Sequence, residues 1–330
     1  MPEEAILTVT IGLALAYAYC NGLNDAANAI ATAISTRVLT PGAGVLMGGI
    51  MNLVGALTGT AVAKTIGKGI VDPELMTQAA VMAAIGSAVI WVLVATRYGF
   101  PVSVSHSLVA GVLGAGVAVA GFEAVKTATV LKVLMALALS PFFGFIAGFI
   151  LMVIIYWIFR RATPVQVTTV FSKLQIAAAA FLAYSHGKND AQNAMGIMAM
   201  AWAVYYSAGQ NVEVLLWMKL ASALMIGIGT ALGGWKVIQT LGMKVTRLQP
   251  VHGFSANLCA AGVIEAASNI GLPVSTTHTS SSSIMGVGAT RRLSAVRWGV
   301  TRGILWAWLV TYPFCAVVGW CLSKVLNVIL

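Results

Sequence analysis

The chain has 330 residues, of which 59% are hydrophobic and only 8% charged, with a net charge of +10 at pH 7. Soluble domains carry about 25% charged residues. These values, with a mean hydropathy of +0.91, exclude a soluble globular fold and predict an all-α polytopic membrane protein.

A spanning helix takes about 20 mostly apolar residues. In chain order the candidate segments are 5–35, 43–64, 76–96, 103–120 and 129–159, then 174–200, 214–235, 250–270, 273–290 and 303–328. The first and last of each set exceed one plain span, which predicts broken or tilted helices or re-entrant hairpins. Residues 160–173 form the longest hydrophilic stretch, read as a linker between a first repeat, 1–159, and a second, 174–330. The opening Met1-Pro2-Glu3-Glu4 lacks the basic region of a signal peptide. Cys20, Cys259, Cys315 and Cys321 lie singly in apolar runs without metal-ligand spacing and read as small packing residues.

Most of the basic residues gather in the breaks between these segments, among them Arg160, Arg161 and Lys173; Lys236, Lys244 and Arg247; Arg291, Arg292, Arg297 and Arg302. That is the distribution of cytoplasmic loops under the positive-inside rule. It contains no basic stripe interleaved with aromatics, so nucleic acid is not an expected partner.

Three landmarks recur in order. Asn24-Asp25-Ala26-Ala27-Asn28-Ala29 returns as Asn189-Asp190-Ala191-Gln192-Asn193-Ala194, 165 residues on. Pro101-Val102-Ser103-Val104-Ser105-His106-Ser107 returns as Pro273-Val274-Ser275-Thr276-Thr277-His278-Thr279, and Pro141-Phe142 as Pro313-Phe314, both 172 residues on. An ordered series of this kind marks a duplication. Equivalent loops differ in charge: 121–128 carries one Glu and one Lys, whereas 291–302 carries four arginines. The repeats are therefore expected to be inverted, with about five crossings each, the linker in the cytoplasm and both termini outside. Inverted repeats are an architecture of secondary transporters, whose sites lie near the midplane.

Ionisable residues are costly within a span, at about 2.5–3.5 kcal/mol on insertion scales, and Asp25 and Asp190 sit in both copies of one motif. Asn28 and Asn193 follow three residues later, on the same helical face. Carboxylate and amide oxygens suit a hard cation such as Na⁺, with Asn24 and Asn189 as further ligands; alternatively each Asp takes a proton. The Gly, Asn and Asp at 21–25 and 186–190 are turn and cap residues and predict interrupted helices there. Pro101 and Pro273 suit the first turn of a helix. The hydroxyls after them, Ser103, Ser105 and Ser107, and Ser275, Thr276, Thr277 and Thr279, make a helix-end receptor for phosphate or sulfate, or simple N-caps. His106 and His278 orient those hydroxyls, carry protons or pack. Lys188 has no counterpart in the first copy and balances Asp190, draws in an anion or snorkels. Glu265 and His252 have no assigned role.

Asn24-Asp25-Ala26-Ala27-Asn28, His186-Gly187-Lys188-Asn189-Asp190-Ala191-Gln192 and Pro273-Val274-Ser275-Thr276-Thr277-His278 resemble the duplicated signatures of the inorganic phosphate transporter family. The likeness covers essentially the whole chain. It implies a multi-pass plasma-membrane symporter of inorganic phosphate with a cation, Na⁺ or H⁺, that forms a homodimer and needs no cofactor. By the same resemblance Asp25, Asn28, Asp190 and Asn193 bind cation and phosphate, and the Ser, Thr and His of both proline motifs bind phosphate. Ser103-Val104-Ser105-His106 lacks the paired threonines of the second copy, which weakens hydroxyl-by-hydroxyl transfer there. A sulfate or other oxyanion carrier is the alternative. Neither a nucleophile–base pair nor a metal-rich motif suggests an enzyme.

Overall fold

The computed structural model describes residues 2–209 and 211–330, except for the side chain of Ala26. It is a bundle of twelve helices in two series of six. The first series is α1 (Glu3–Ser35), α2 (Pro41–Ala56), α3 (Ala61–Lys68), α4 (Gln78–Tyr98), α5 (Val104–Ala120) and α6 (Thr127–Ile158). The second is α7 (Pro164–Tyr205), α8 (Leu216–Leu232), α9 (Trp235–Gln239), α10 (Pro250–Asn269), α11 (Thr276–Ala289) and α12 (Trp298–Ile329). Local chemistry sets the ends. Thr40, Thr77 and Thr163 accept hydrogen bonds from the first turns of α2, α4 and α7, and prolines open α2, α7 and α10. Gly99 ends α4 at φ 77°, a left-handed conformation that glycine adopts freely.

Among the described residues, six helices are long and apolar enough to cross a membrane, or eight elements if each bent pair is one span. The bends are where α2 meets α3, at 72°, and where α8 meets α9 and its π-helical continuation to Lys244, at 61°. The interruptions thus fall inside the expected segment 43–64 and at the end of 214–235. The long segments are not broken: α1, α6, α7 and α12 each run continuously for 32 residues or more. Pro141 and Pro313 are accommodated inside α6 and α12.

Two further expectations are corrected. Residues 21–25 and 186–190 are helical, not interrupted. Gly22 and Gly187 are notches: a side chain at Gly22 would collide with the α8 backbone at Ile226, and one at Gly187 with the α2 backbone at Asn52. Small residues that let backbones touch are the usual device of membrane helix packing. The stretch 160–173 is mostly the first turns of α7, so the link between series is only Phe159–Thr163.

α10 and α11 show why hydropathy overstated uniformity. α11 has 14 residues, about 21 Å of helix, and every one is buried, including seven hydroxyl residues between Thr276 and Ser283. Shielded by α6 and α10, it has no lipid to face. Only 28% of the most apolar window of α6, α7 or α12 is buried, so α6, α12 and the first half of α7 form the outer wall, while the second half of α7 enters the core.

The two series interlock. α1 packs on α8 and α7 on α2, while α5 packs on α12 and α11 on α6. The glycine notches are reciprocal. Gly22 and Gly229 bring α1 and α8 together, Gly55 and Gly187 join α2 to α7, and Gly114 and Gly286 receive the backbones of α12 and α6.

Candidate functional site

α1 and α7 carry the two Asp motifs past each other in the centre of the bundle, and the loops before α5 and α11 bring the proline motifs to them. Asp25, Asp190 and His186 are each 1% exposed. His186 Nε2 lies 3.7 Å from Asp25 Oδ2 and 3.4 Å from Asp190 Oδ2. One turn of α7 aligns His186 with Asp190 on the same face. One oxygen or nitrogen from each of the three residues lies within 4.8 Å of the others.

The imidazole has a defined orientation. Asn52 Nδ2 donates to Thr230 Oγ1 at 2.9 Å, which leaves Asn52 Oδ1 facing His186 Nδ1 at 2.6 Å. Nδ1 must then carry the proton, and Nε2 is the nitrogen presented to both carboxylates.

The threonines of the second proline motif complete the cluster. Thr277 Oγ1 donates to Asp25 Oδ1 at 2.6 Å and accepts from Asn28 Nδ2 at 3.1 Å. Thr276 Oγ1 lies 3.2 Å from both Asp25 Oδ2 and Asp190 Oδ2. A hydroxyl has one proton and satisfies one of these oxygens at a time. On the other side, Asn193 Nδ2 donates to Ser105 Oγ at 2.8 Å. The contacts therefore cross between series: Asn28 of the first meets Thr277 of the second, and Asn193 of the second meets Ser105 of the first. Among the described residues, Asn28 Oδ1 and Asn193 Oδ1 are buried without hydrogen-bond partners.

The remaining sequence-selected residues divide by role. Ser103 and Ser275 cap α5 and α11, accepting from His106 N and His278 N at 3.2 and 3.1 Å. Ser107 and Thr279 donate to backbone carbonyls of Val104 and Ser275. Ser103 and Ser275 are therefore the N-caps in this conformation, while Ser107 and Thr279 bond back within the first turns of their own helices. Asn24 donates to Thr96 Oγ1 and Phe100 O, and Asn189 to Asp190 Oδ1 and Val274 O, tying the loops before α5 and α11 to α1 and α7. His106 and His278 pack with ring centroids 4.6 Å apart, and His278 stacks on Trp308 at 3.8 Å. Lys188 pairs with Glu265, not Asp190, and donates to Asn269 Oδ1 at 2.7 Å. His252 Nε2 meets Tyr156 Oη at 3.0 Å, away from the cluster.

Sequence reasoning named His186 only as part of a motif and passed over Asn21. Asn21 is the first-series counterpart of His186, four residues before Asp25. It is fully buried with both amide atoms unpaired. The 165-residue offset that paired Asp25 with Asp190 applies equally to this pair and carried the missing signal. Gln192 is another omission: its Oε1 accepts from Val62 N and Ala63 N at 2.7 and 3.1 Å, capping the start of α3.

Chemically, the cluster offers hard oxygen donors from Asp, Asn and Thr around one imidazole. Oxygen donors suit alkali and alkaline-earth cations, whereas imidazole suits transition metals. A second proton, on Nε2, would let His186 balance carboxylate charge, and the hydroxyl and amide groups of Thr276, Thr277, Ser105, Asn28 and Asn193 surround the same centre.

The phosphate transporter family profile matches residues 21–319. A Bacillus subtilis protein described as "Probable low-affinity inorganic phosphate transporter" is 43% identical over 98% of each chain. A Rhizobium meliloti protein of the same description is 41% identical over 95% of this chain and 94% of its own. A solved structure described as "The sodium-dependent phosphate transporter" superposes with a TM-score of 0.92, at 28% identity, over 99% of this chain and 100% of that one. These relatives are transporters, not enzymes, and the multi-pass helical fold agrees with them. The chain belongs to the phosphate transporter family.

Proposed function

We propose that the protein is a symporter that moves inorganic phosphate together with a cation, Na⁺ in preference to H⁺, through the Asp25–His186–Asp190 centre. The observation that carries this reading is the convergence of two buried carboxylates and two unpaired amide oxygens, Asn28 Oδ1 and Asn193 Oδ1, beside the hydroxyls of Thr276, Thr277 and Ser105. Two ionised carboxylates in a low-dielectric cavity repel an anion. Cations held by Asp25 with Asn28 and by Asp190 with Asn193 cancel that charge and admit phosphate to the Ser and Thr hydroxyls. By linkage, phosphate then tightens the cation sites. The sodium dependence in the description of the superposed structure supports Na⁺. The oxygen-rich donor set does too.

The matched element order and reciprocal glycine notches support reading 1–159 and 174–330 as inverted repeats, with the basic loops and short link in the cytoplasm and both termini outside the plasma membrane. The outer wall of α6, α12 and the first half of α7 provides apolar surface for a homodimer. Each central side chain is at most 1% exposed, which fits an occluded step of alternating access. Phosphate uptake into proteoliposomes, with Na⁺ and pH gradients imposed separately, tests the coupling. Uptake driven by the Na⁺ gradient alone supports the reading. Uptake driven only by the pH gradient transfers the coupling to protons on Asp25, Asp190 or His186.

A further inference from the structure

At the end of the bundle reached by the C-terminus of α11, a cavity of about 540 Å³ is lined by Thr246, Arg247, Arg291, Arg292, Ser294 and Arg297. It shares no residue with the Asp25 cluster. Its volume falls in the range of small-molecule sites, about 300–1,000 Å³. Four arginines line it, and no acidic residue occurs anywhere in 266–330 or 214–264. Among the described residues no carboxylate pairs with any of the four.

A loop that only sets membrane orientation needs charge, not shape. This one has shape. Thr246 Oγ1 donates to Ala295 O at 3.0 Å, and Arg297 N donates to Val245 O at 2.9 Å, joining the segment before α10 to the one before α12. Arg297 also donates through Nη1 to Met243 O. Like charges so gathered repel one another unless an anion lies between them. Guanidinium forks match phosphate oxygens in bidentate geometry.

The rim gives the second clue. Met243, Leu293 and Trp298 are 56%, 68% and 47% exposed beside the arginines, and Trp298 Nε1 donates to Leu293 O. A tryptophan with a satisfied N–H next to exposed aliphatic groups is the arrangement of a membrane interface. A soluble anion has no use for such a rim, whereas an amphiphile does.

We propose that this cavity binds the phosphate headgroup of an anionic phospholipid, with its acyl chains running along Met243, Leu293 and Trp298. Native mass spectrometry of the detergent-solubilised protein, titrated with phosphatidylglycerol, tests it. One saturable adduct is expected, absent with phosphatidylcholine of the same chains and not displaced by excess inorganic phosphate. At about fivefold per arginine near a membrane surface, Arg291→Gln with Arg292→Gln should weaken that adduct about 25-fold. Arg291→Lys with Arg292→Lys keeps the charge but loses the fork and should also weaken it. Arg160→Gln with Arg161→Gln, a basic pair outside the cavity, should leave it intact. Equal loss in the Arg160/Arg161 variant, or full affinity in the double-Lys variant, reduces the cavity to diffuse surface charge and overturns the proposal. Displacement by inorganic phosphate assigns the cavity to a soluble anion and overturns it equally.

Discussion

Thr277→Ala is the most informative single change at the centre. It deletes a hydroxyl that donates to Asp25 Oδ1 at 2.6 Å and accepts from Asn28 Nδ2 at 3.1 Å, in a residue with no exposed surface. A hydrogen bond to an ionised group contributes about 1.5–3 kcal/mol. Its loss corresponds to about tenfold to a hundredfold in binding. Because the hydroxyl touches both members of the Asp25/Asn28 pair, the change should weaken cation dependence as well as phosphate affinity. Ser275→Ala is the matched control: Ser275 accepts from His278 N as an N-cap, so its loss should cost about 1 kcal/mol of stability and leave both affinities near wild type. Proteoliposome uptake across phosphate and Na⁺ concentrations, beside thermal unfolding of both variants, reads the difference. Wild-type concentration dependence in a folded Thr277→Ala protein, or identical losses in both variants, would refute the assignment of Thr277 to the ligand centre.

Asp25→Asn and Asp190→Asn should each nearly abolish uptake while leaving membrane insertion intact, measured by uptake against protein yield in purified membranes; normal transport in either makes that carboxylate structural. Asn52→Ala removes the acceptor that fixes His186 Nδ1. Losses of about 10- to 100-fold accompany removal of such orienting partners in metal sites, and a fall of at least tenfold in uptake is expected here, checked against the unfolding midpoint. Gly187→Ala places a side chain against the Asn52 backbone and should destabilise the fold by about 1–3 kcal/mol. Gly12→Ala, with open space around it, should be neutral or slightly stabilising in the same melt.

Much of this was legible because a duplicated chain states its important residues twice. Asp25 and Asp190 stood out as charges in apolar surroundings, and the offset between copies paired them. The same logic failed at His186 and Asn21, where the two copies differ in residue type and a comparison of like with like passes over them. Gly22 and Gly187 were misread for a physical reason. Gly, Asn and Asp break helices in water, but between packed membrane helices the missing side chain admits a neighbouring backbone. The hydroxyls could not be sorted from spacing. Ser275 and Thr277 lie two residues apart in one motif, yet one caps α11 and the other reaches Asp25. Which way each points depends on where α1 passes, information held some 250 residues away. Lys188 was ambiguous for a similar reason, since Glu265 comes within its reach only through the packing of α10 on α7.

The crossed contacts, Asn28 with Thr277 and Asn193 with Ser105, give the short link between α6 and α7 a specific meaning. Neither series holds both members of either contact, so the buried centre is an interface between two partners held on one string. Among the described residues, no hydrogen bond or ion pair joins 160–163 to the central side chains. What they contribute is effective concentration, keeping two mutually dependent halves from drifting apart in the bilayer. In that sense the protein is an obligate heterodimer whose subunits share a backbone.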